Sequence, residues 1–427
     1  MSQLSILDEL EGRGLVHATT DRDALAQRLA SGPITLYYGC DPTADSLHVG
    51  NLIGLLVLRR FQDAGHDVVA LAGGATGMVG DPSGRSEERN LLDEATLDAN
   101  VRAIKAQIGR IIDLDDGRAS LVDNREWTVE LTLLDFLRNV GKHVTVNQMV
   151  ARESVKARMA SEQGISFTEF SYMLLQANDF LWLRTNRGVE MQIGGSDQWG
   201  NILSGIDLIR RVRGDVAHGL CWPLLTDSGG SKLGKTTGAR VWLDPEKTSP
   251  YQFFQSWMHV DDAEVRVQLN MFTLLPMAQI DEVMAEHESA PERRVAQRVL
   301  ATEVTRLVHG ETAAAAAAQA SEVLFGGSVD AAGPEAFELL EREVPTAPLP
   351  GNAALADGVE LLGALVSTGL ATSRGDARRA IEQGAVYVNG ERVGPDRSIG
   401  EADLRHGRYV LLRKGKRSFA VLTNAKS

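Results

Sequence analysis

Three polar residues interrupt an otherwise apolar run at residues 167–183, FTEFSYMLLQANDFLWL: Tyr172, Gln176 and Asp179. At roughly 100° per residue, spacings of i, i+4 and i+7 fall within about 60° of one another on a helix. One helical face then carries a phenol, an amide and a carboxylate. Such groups need partners once buried, so they either satisfy one another or face a polar ligand. A second candidate is LYYGCDPTADSLHVGNL, residues 36–52. Ser46 is suited to cap a helix opening at Leu47, which puts His48 in the first turn. There the unpaired backbone N–H groups and the helix dipole favour a phosphate. His48 can donate to it, Gly50 leaves room for a nucleotide, and Thr43 adds a hydroxyl. In GGSDQWGN, residues 194–201, Asp197 can accept from ribose hydroxyls and Gln198 can reach a carboxyl group. Ser196 or Asp197 could instead serve as a helix cap. Finally, SKLGKTTG at residues 231–238 sets Lys232 and Lys235 three apart beside Thr236 in a glycine-bearing loop. Alone, that is a solvated turn. Beside a leaving phosphate, it is mobile positive charge.

These segments need elements to hold them. Residues 34–40, ITLYYGC, read as a strand broken by Asp41-Pro42-Thr43, and helical spacing follows over 47–64. Residues 67–74 and 191–195 read as further glycine-ended strands, the latter followed by a helix over 198–213. This alternation implies βαβ units and a mostly parallel sheet, whose ligands sit beyond the carboxyl ends of the strands. The loops after Cys40, Gly74 and Gly195 are therefore where chemistry is expected. Residues 250–324 are helical without strand signals. VPTAPLPGNAAL, residues 344–355, reads as a linker, and a small α+β unit follows. In it Ser373 and Asp376 match a capping box, and Asn389-Gly390 marks a tight hairpin.

With 427 residues the chain is too long for one core of ordinary size, which implies two or three domains. Two cysteines cannot make a disulfide framework and suit a reducing cytosol. No apolar run approaches a bilayer span, and the acidic N-terminal segment does not read as a signal peptide. The net charge of −13 argues against a nucleic-acid platform over the whole surface. Residues 354–427, however, hold 12 Lys and Arg against 8 Asp and Glu, so the tail is basic on an acidic body, as in an attached nucleic-acid module. No Ser-His-Asp, Cys-His or zinc spacing stands out, which leaves positioning and charge stabilisation as the available chemistry.

The segments DPTADSLHVGN and SKLGKTTG resemble the H-I-G-H and K-M-S-K-S signatures of class I aminoacyl-tRNA synthetases, and the wording is similar to that of bacterial tyrosyl-tRNA synthetases. The resemblance covers nearly the whole chain. It departs at the fourth signature position, where Asn51 stands in place of a histidine. It implies a Rossmann-like α/β catalytic domain over residues 1–245 with a dimer-interface insert at about 131–159. An α-helical anticodon-arm domain over 246–343, a linker over 344–353 and a small α+β RNA-binding domain over 354–427 would follow. It implies that Tyr37 and Asp179 bond the phenol of L-tyrosine, that Asp81, Tyr172 and Gln176 hold its ammonium group, and that Gln198 meets its carboxyl. It implies ATP contacts at Gly39, Asp41, His48, Gly50, Asn51, Gly195, Asp197 and Lys235. Catalytic work would fall to Thr43, His48, Lys232, Lys235 and Thr236, with Arg85 and Arg89. The tail resembles an RNA-binding domain first known in a ribosomal small-subunit protein, with Arg374, Arg378 and Arg379 on RNA phosphates. The implied partners are tRNA(Tyr), ATP with its Mg²⁺, and a second copy of the chain in a cytoplasmic homodimer. No protein-held metal, tightly bound cofactor or membrane is implied. A tryptophanyl enzyme, a small-molecule adenylyltransferase and an inactive RNA-binding relative remain alternatives.

Overall fold

The computed structural model describes residues 5–83, 92–160, 164–224, 240–349 and 358–424. The chain forms two compact units, Met1–Asp244 with Val260–Ala296, and Pro245–His259 with Gln297–Ser427.

The first unit contains helix α1 (Ile6–Gly12), β1 (Ala18–Thr19), α2 (Arg22–Ala30), β2 (Thr35–Cys40), α3 (Val49–Asp63) and β3 (Asp67–Ala72). Next come α4 (Glu94–Ile111), β4 (Ala119–Asp123), the short helices α5 (Arg125–Thr128), α6 (Leu133–Asn139), α7 (Val146–Val150) and α8 (Glu153–Met159), and the long α9 (Phe167–Arg187). It is completed by β5 (Val189–Gly195), α10 (Trp199–Arg213) and β6 (His218–Trp222). The sheet order is β1-β6-β5-β2-β3-β4, and only β1 runs antiparallel to its neighbour. From β2 the chain proceeds outward to β3 and β4, whereas from β5 it proceeds the other way to β6. The order therefore reverses between β2 and β5, and the crevice beyond their carboxyl ends is where such sheets take ligands. The two central strands are buried, as parallel strands covered on both faces must be.

Helix α9 is the expected one, extended by a turn. Ser166 caps its start, accepting from the Glu169 N–H, and Gly188 closes it at φ 67°, a left-handed cap that suits glycine. It is tied to the insert by the Arg158–Glu169 ion pair at 2.7 Å, with both side chains 2% exposed, and by an apolar cluster that joins Val140, Met149 and Val155 to Met173, Leu174 and Ala177. Helix α3, in contrast, starts two residues later than expected. Its cap is His48, not Ser46. The physical reason is that Leu47 is already engaged: its N–H donates to Gln107 Oε1 and its carbonyl accepts from the Leu243 N–H. Ser46 instead donates to the Leu47 carbonyl and accepts from the Asp244 N–H.

The second unit opens with α11 (Pro250–Met258). Next in the chain, α12 (Val265–Phe272) and α13 (Met277–Ser289) belong to the first unit, so the expected domain of residues 246–343 is not one body. Hydrogen bonding explains why. Buried Arg60, from α3, donates to the carbonyls of Asn270 and Thr273, and Arg13 donates to those of Asn270 and Leu275. The unpaired carbonyls at the end of α12 are thereby satisfied by side chains far away in sequence. After α14 (Val295–His309) come α15 (Glu311–Leu324) and α16 (Pro334–Glu343). Helix α15 packs on α11, and Gln255 donates to Ser321 at 2.8 Å.

The expected linker at 344–353 also differs. Thr346–Pro348 forms β7, paired in parallel with the last strand, β13 (Ser418–Thr423). An edge strand tolerates proline, so the composition that read as linker does not prevent pairing. Between them lie β8 (Val359–Glu360), α17 (Leu361–Ser367), α18 (Arg374–Glu382), β9 (Val386–Val388), β10 (Glu391–Arg392), β11 (Ser398–Ile399) and β12 (Tyr409–Lys414). They make a five-stranded sheet, β10-β9-β12-β13-β7, and a two-stranded one, β11-β8. Helix α16 lies against this sheet, with Phe337 stacked on Tyr409 at 5.3 Å, and the helices from Gln297 onward fall in the same compact unit as the small sheet. The Asn389-Gly390 turn is a tight hairpin with φ of 47° and 88°. Ser373 caps α18, but the Asp376 carboxylate accepts from the Thr372 N–H and Lys414, so the box does not close on its cap. Among the described residues no helix is long and apolar enough to cross a membrane.

Candidate functional site

A cleft of ≈ 380 Å³ opens in the first unit where β2, β3 and β5 end. Alternation along β2 sends Tyr37 and Tyr38 to opposite faces of the sheet. Tyr37 tilts against Phe180 of α9, with ring centroids 5.3 Å apart, and its hydroxyl is buried with no hydrogen-bond partner. Asp179 shares this end. Its carboxylate accepts from Trp127 Nε1 at 2.8 Å and from Asn124 Nδ2 at 2.9 Å. Burial outweighs those bonds and pushes its pKa up to about 7. Burial and the nearby Asp179 charge hold the Tyr37 phenol well above its ordinary range. Trp127 is itself fixed by stacking on Trp182 at 4.2 Å, and Asn124 spends its remaining groups on Thr76 and the Ala75 N–H.

Further along α9, Tyr172 and Gln176 line the same cleft, so the three polar residues share a face as their spacing requires. Tyr172 donates to Asp41 Oδ2 at 2.7 Å, and Thr76 donates to the other oxygen of Asp41 at 2.7 Å. Asp81 accepts from Gln198 Nε2 at 2.7 Å and from the Ser83 N–H. Asn201 donates to Gln176 Oε1 at 3.0 Å and to Gln198 Oε1 at 3.2 Å. Two hydrogen-bonded sets, Tyr172–Asp41–Thr76 and Asp81–Gln198–Asn201–Gln176, thus line the cleft together with Tyr37 and Asp179. Asp41, expected on the nucleotide, is engaged here by Tyr172 and Thr76.

The other end is built on the start of α3. The Gly50 N–H donates to His48 Nδ1 at 3.0 Å, and Asn51 Oδ1 accepts from the His48 N–H at 3.1 Å. With Nδ1 accepting, the proton of the neutral ring resides on Nε2, which remains a donor. Burial first and Arg240 second lower the His48 pKa to about 4, so the ring is neutral at ordinary pH. A side chain at position 50 would collide with this arrangement: a Cβ there lies 2.7 Å from His48 Cε1. The chain from Arg240 onward is sewn to the His48 loop. The Val49 N–H donates to the Val241 carbonyl at 3.1 Å, and the Leu243 N–H to the Leu47 carbonyl at 2.9 Å. Trp242 meets the His48 ring edge-on, and the Arg240 guanidinium lies 5.0 Å from the Trp242 ring centroid. Gly39, Thr43, Gly195 and Asp197 line the cleft as well. Gln198, not Ser196 or Asp197, precedes α10 as its cap residue, without a side-chain capping bond.

Lys232, Lys235, Thr236, Arg85 and Arg89 lie outside the described residues. The flanking residues Ser83, Leu224 and Arg240 all line the cleft. Thr76, Asn124, Trp127, Asn201, Arg240 and Trp242 escaped the sequence reading. Asn201 was within reach, as the last residue of GGSDQWGN. Asn124 and Trp127 follow the carboxyl end of β4, a place the parallel-sheet rule already marks. In the second unit Arg374, Arg378 and Arg379 are exposed on α18, and Arg374 pairs with Glu360.

Comparison with known proteins gives a consistent result. Residues 29–326 match the family model for class I tRNA synthetases (W and Y), and residues 337–422 that of the tyrosine–tRNA ligase SYY-like C-terminal domain. The chain is 51% identical over 422 residues to a tyrosine–tRNA ligase of Opitutus terrae, covering 98% of this chain and 99% of that one. It is 50% identical over 421 residues to one from Roseiflexus castenholzii, with the same shares covered. Among solved structures, a C-terminally truncated mitochondrial tyrosyl-tRNA synthetase of Aspergillus nidulans matches with a TM-score of 0.69 at 34% identity, covering 76% of this chain and 95% of that one.

Proposed function

Because the chain belongs to the tyrosine–tRNA ligase family of class I aminoacyl-tRNA synthetases, we propose that the cleft at the carboxyl end of its sheet is where it works. The enzyme activates L-tyrosine with ATP to give tyrosyl-adenylate and pyrophosphate, then transfers the tyrosyl group to the 3′ end of tRNA(Tyr). One observation carries the assignment of the cleft: the buried Tyr37 hydroxyl has no partner and stands beside Asp179. A buried polar atom without a partner is costly, and a ligand hydroxyl would relieve it.

Tyr37 and Asp179 hold the phenol of the substrate. A site built to bond a hydroxyl rejects phenylalanine, which leaves those groups unpaired on burial; tyrosyl-tRNA synthetases are the standard illustration of this effect. Tyr172, Gln176 and Asp81 receive the ammonium group, and Gln198 meets the carboxyl. That carboxylate is already ionised and attacks the α-phosphorus directly, so no protein nucleophile is needed. The bond from the α-phosphorus to the bridging oxygen breaks, and the electron pair leaves with pyrophosphate. Charge therefore grows on the leaving phosphates. Neutral His48 donates through Nε2 at the positive end of α3, and Thr43 adds a hydroxyl. Lys232, Lys235 and Thr236, with Arg85 and Arg89, meet the same charge as it develops, which stabilises the transition state more than the ground state. Asp197 accepts from the ribose hydroxyls, while Gly39, Asp41, Gly50, Asn51 and Gly195 shape the nucleotide's bed. ATP brings Mg²⁺ with it, held by phosphate oxygens and water. Among the described residues no group of three or more His, Cys, Asp or Glu side chains could hold such an ion.

The exposed arginines Arg374, Arg378 and Arg379 contact tRNA phosphates, and the helices of residues 246–343 that belong to the second unit serve the anticodon arm. The working form is a cytoplasmic homodimer joined through the insert. Supporting this, Val129, Leu133, Leu134, Val146 and Phe167 are each more than 60% exposed, a density of bare apolar surface that marks an interface. Pyrophosphate exchange into ATP, measured with each of the twenty amino acids, tests the reading. Exchange dependent on tyrosine is expected; exchange dependent on tryptophan instead would end it.

A further inference from the structure

Among the described residues, two buried side-chain atoms that lack a hydrogen-bond partner belong to residues lining the cleft, Tyr37 Oη and Gln192 Oε1. The second has no part in the chemistry set out above. Gln192 is 3% exposed and lies in β5. Strand pairing places it beside Tyr37: the two residues are register partners on the parallel strands β2 and β5. Neighbouring strands run about 4.8 Å apart, and register partners direct their side chains to the same face. Both side chains therefore enter the cleft at the same depth. That depth is the ring end, because Gly195, Asp197 and Gln198, which stand at the carboxyl and ribose end, come three or more residues later along β5 and its loop.

A buried carboxamide oxygen with no donor is as costly as a buried hydroxyl with none. Here an unsatisfied acceptor and an unsatisfied hydroxyl line one cleft without pairing with each other. A hydroxyl on a ligand satisfies both at once, since it accepts through its oxygen and donates through its proton. We propose that Gln192 is a specificity-determining contact for the amino acid, its Oε1 accepting from the ring hydroxyl of tyrosine while Tyr37 donates to that hydroxyl's oxygen. The hydroxyl proton then lies between two acceptors, Asp179 and Gln192. Of these, the Asp179 oxygens already take one donor each, from Trp127 and Asn124. Gln192 takes none, so it depends more on the ligand for its hydrogen bond. This inference rests on the reading of the cleft as the tyrosine pocket and assigns that pocket a third polar wall.

The test is pyrophosphate exchange with the full-length enzyme, comparing kcat/KM for tyrosine and for phenylalanine in the parent, Gln192→Met and Tyr37→Phe. Methionine keeps the length of the side chain and removes the acceptor. The expected result for Gln192→Met is a fall of about tenfold in the preference for tyrosine, the size of one net hydrogen bond, with KM for ATP unchanged. A role in packing alone would lower both substrates equally. An unchanged preference in Gln192→Met overturns the proposal. If Tyr37→Phe still loses preference, the pocket reading survives; if neither variant does, the pocket reading falls with it. Should Gln192→Met not fold, a crystal structure of the parent with L-tyrosine decides. Gln192 Oε1 is expected within about 3 Å of the bound hydroxyl, and a carboxamide turned away from the ring refutes the contact.

Discussion

At the scale of single residues, the site depends on groups whose charge state is set by burial. Asp179 is the clearest case. Its folded-state pKa of about 7 stands above the ordinary 3.8, so the folded protein holds a proton there that the unfolded chain releases. The sign follows directly. Between pH 4 and 7 the folded state binds more protons, so this group's contribution to stability falls as pH rises and is flat above 7. Measured by urea denaturation without substrates, the stability of the parent relative to Asp179→Asn is expected to decline across that window, by up to about 4 kcal/mol. A difference independent of pH would show that the carboxylate is not desolvated as described. His48 behaves oppositely. Lowered to about 4, it stays neutral through the working range and acts as a hydrogen-bond donor without charge.

At the scale of elements, the start of α3 is held by its own side chains. Its first turn is closed by His48 and Asn51 acting on each other's backbone, so asparagine at the fourth signature position has a mechanical task. Tyr38 extends from β2 across the same helix, with its ring lying against Gly54. It fits because residue 54 has no side chain: a Cβ there would stand 2.2 Å from the Tyr38 ring. Gly54→Ala is therefore expected to cost about 1–3 kcal/mol through overpacking. Because the displaced ring lines the cleft, it should also raise KM for ATP. Denaturation and exchange kinetics on that variant read both effects, and a variant matching the parent in both would refute the contact.

At the scale of the whole molecule, two boundaries matter. Because Thr346–Pro348 is a strand of the small sheet, a cut that removes the whole sheet falls after Glu343, ahead of β7, and leaves uncovered the face of α16 on which Phe337 meets Tyr409. The truncated enzyme is expected to form tyrosyl-adenylate at near the parent rate, while charging at limiting tRNA drops by about tenfold or more. Normal charging would remove the basic tail from the RNA interface. The second boundary is the apolar surface of the insert, where Leu133 and Leu134 are 72% and 71% exposed. Replacing both with aspartate should shift the sedimenting species from a pair to a single chain of 46.2 kDa. A parent that sediments as one chain would defeat the dimer outright.

The sequence by itself determined what local rules can encode. Helical periodicity put Tyr172, Gln176 and Asp179 on one face, because three residues on one helix share a rigid frame. Strand and turn chemistry set out the parallel sheet and the Asn389-Gly390 hairpin, because φ preferences and alternation act over a few residues. Signature wording pointed to the family. Tertiary structure decided what depends on distant partners. Leu47 was withdrawn from α3 by Gln107 and Leu243, so His48 and not Ser46 became the cap. Arg60 and Arg13 drew residues 260–296 into the first unit, and β13 drew the apparent linker into a sheet. Asn124 and Trp127 reached Asp179 across more than fifty residues of chain. Hydrogen bonds of that kind satisfy buried polar groups wherever the fold brings a partner, and no spacing along the chain announces them.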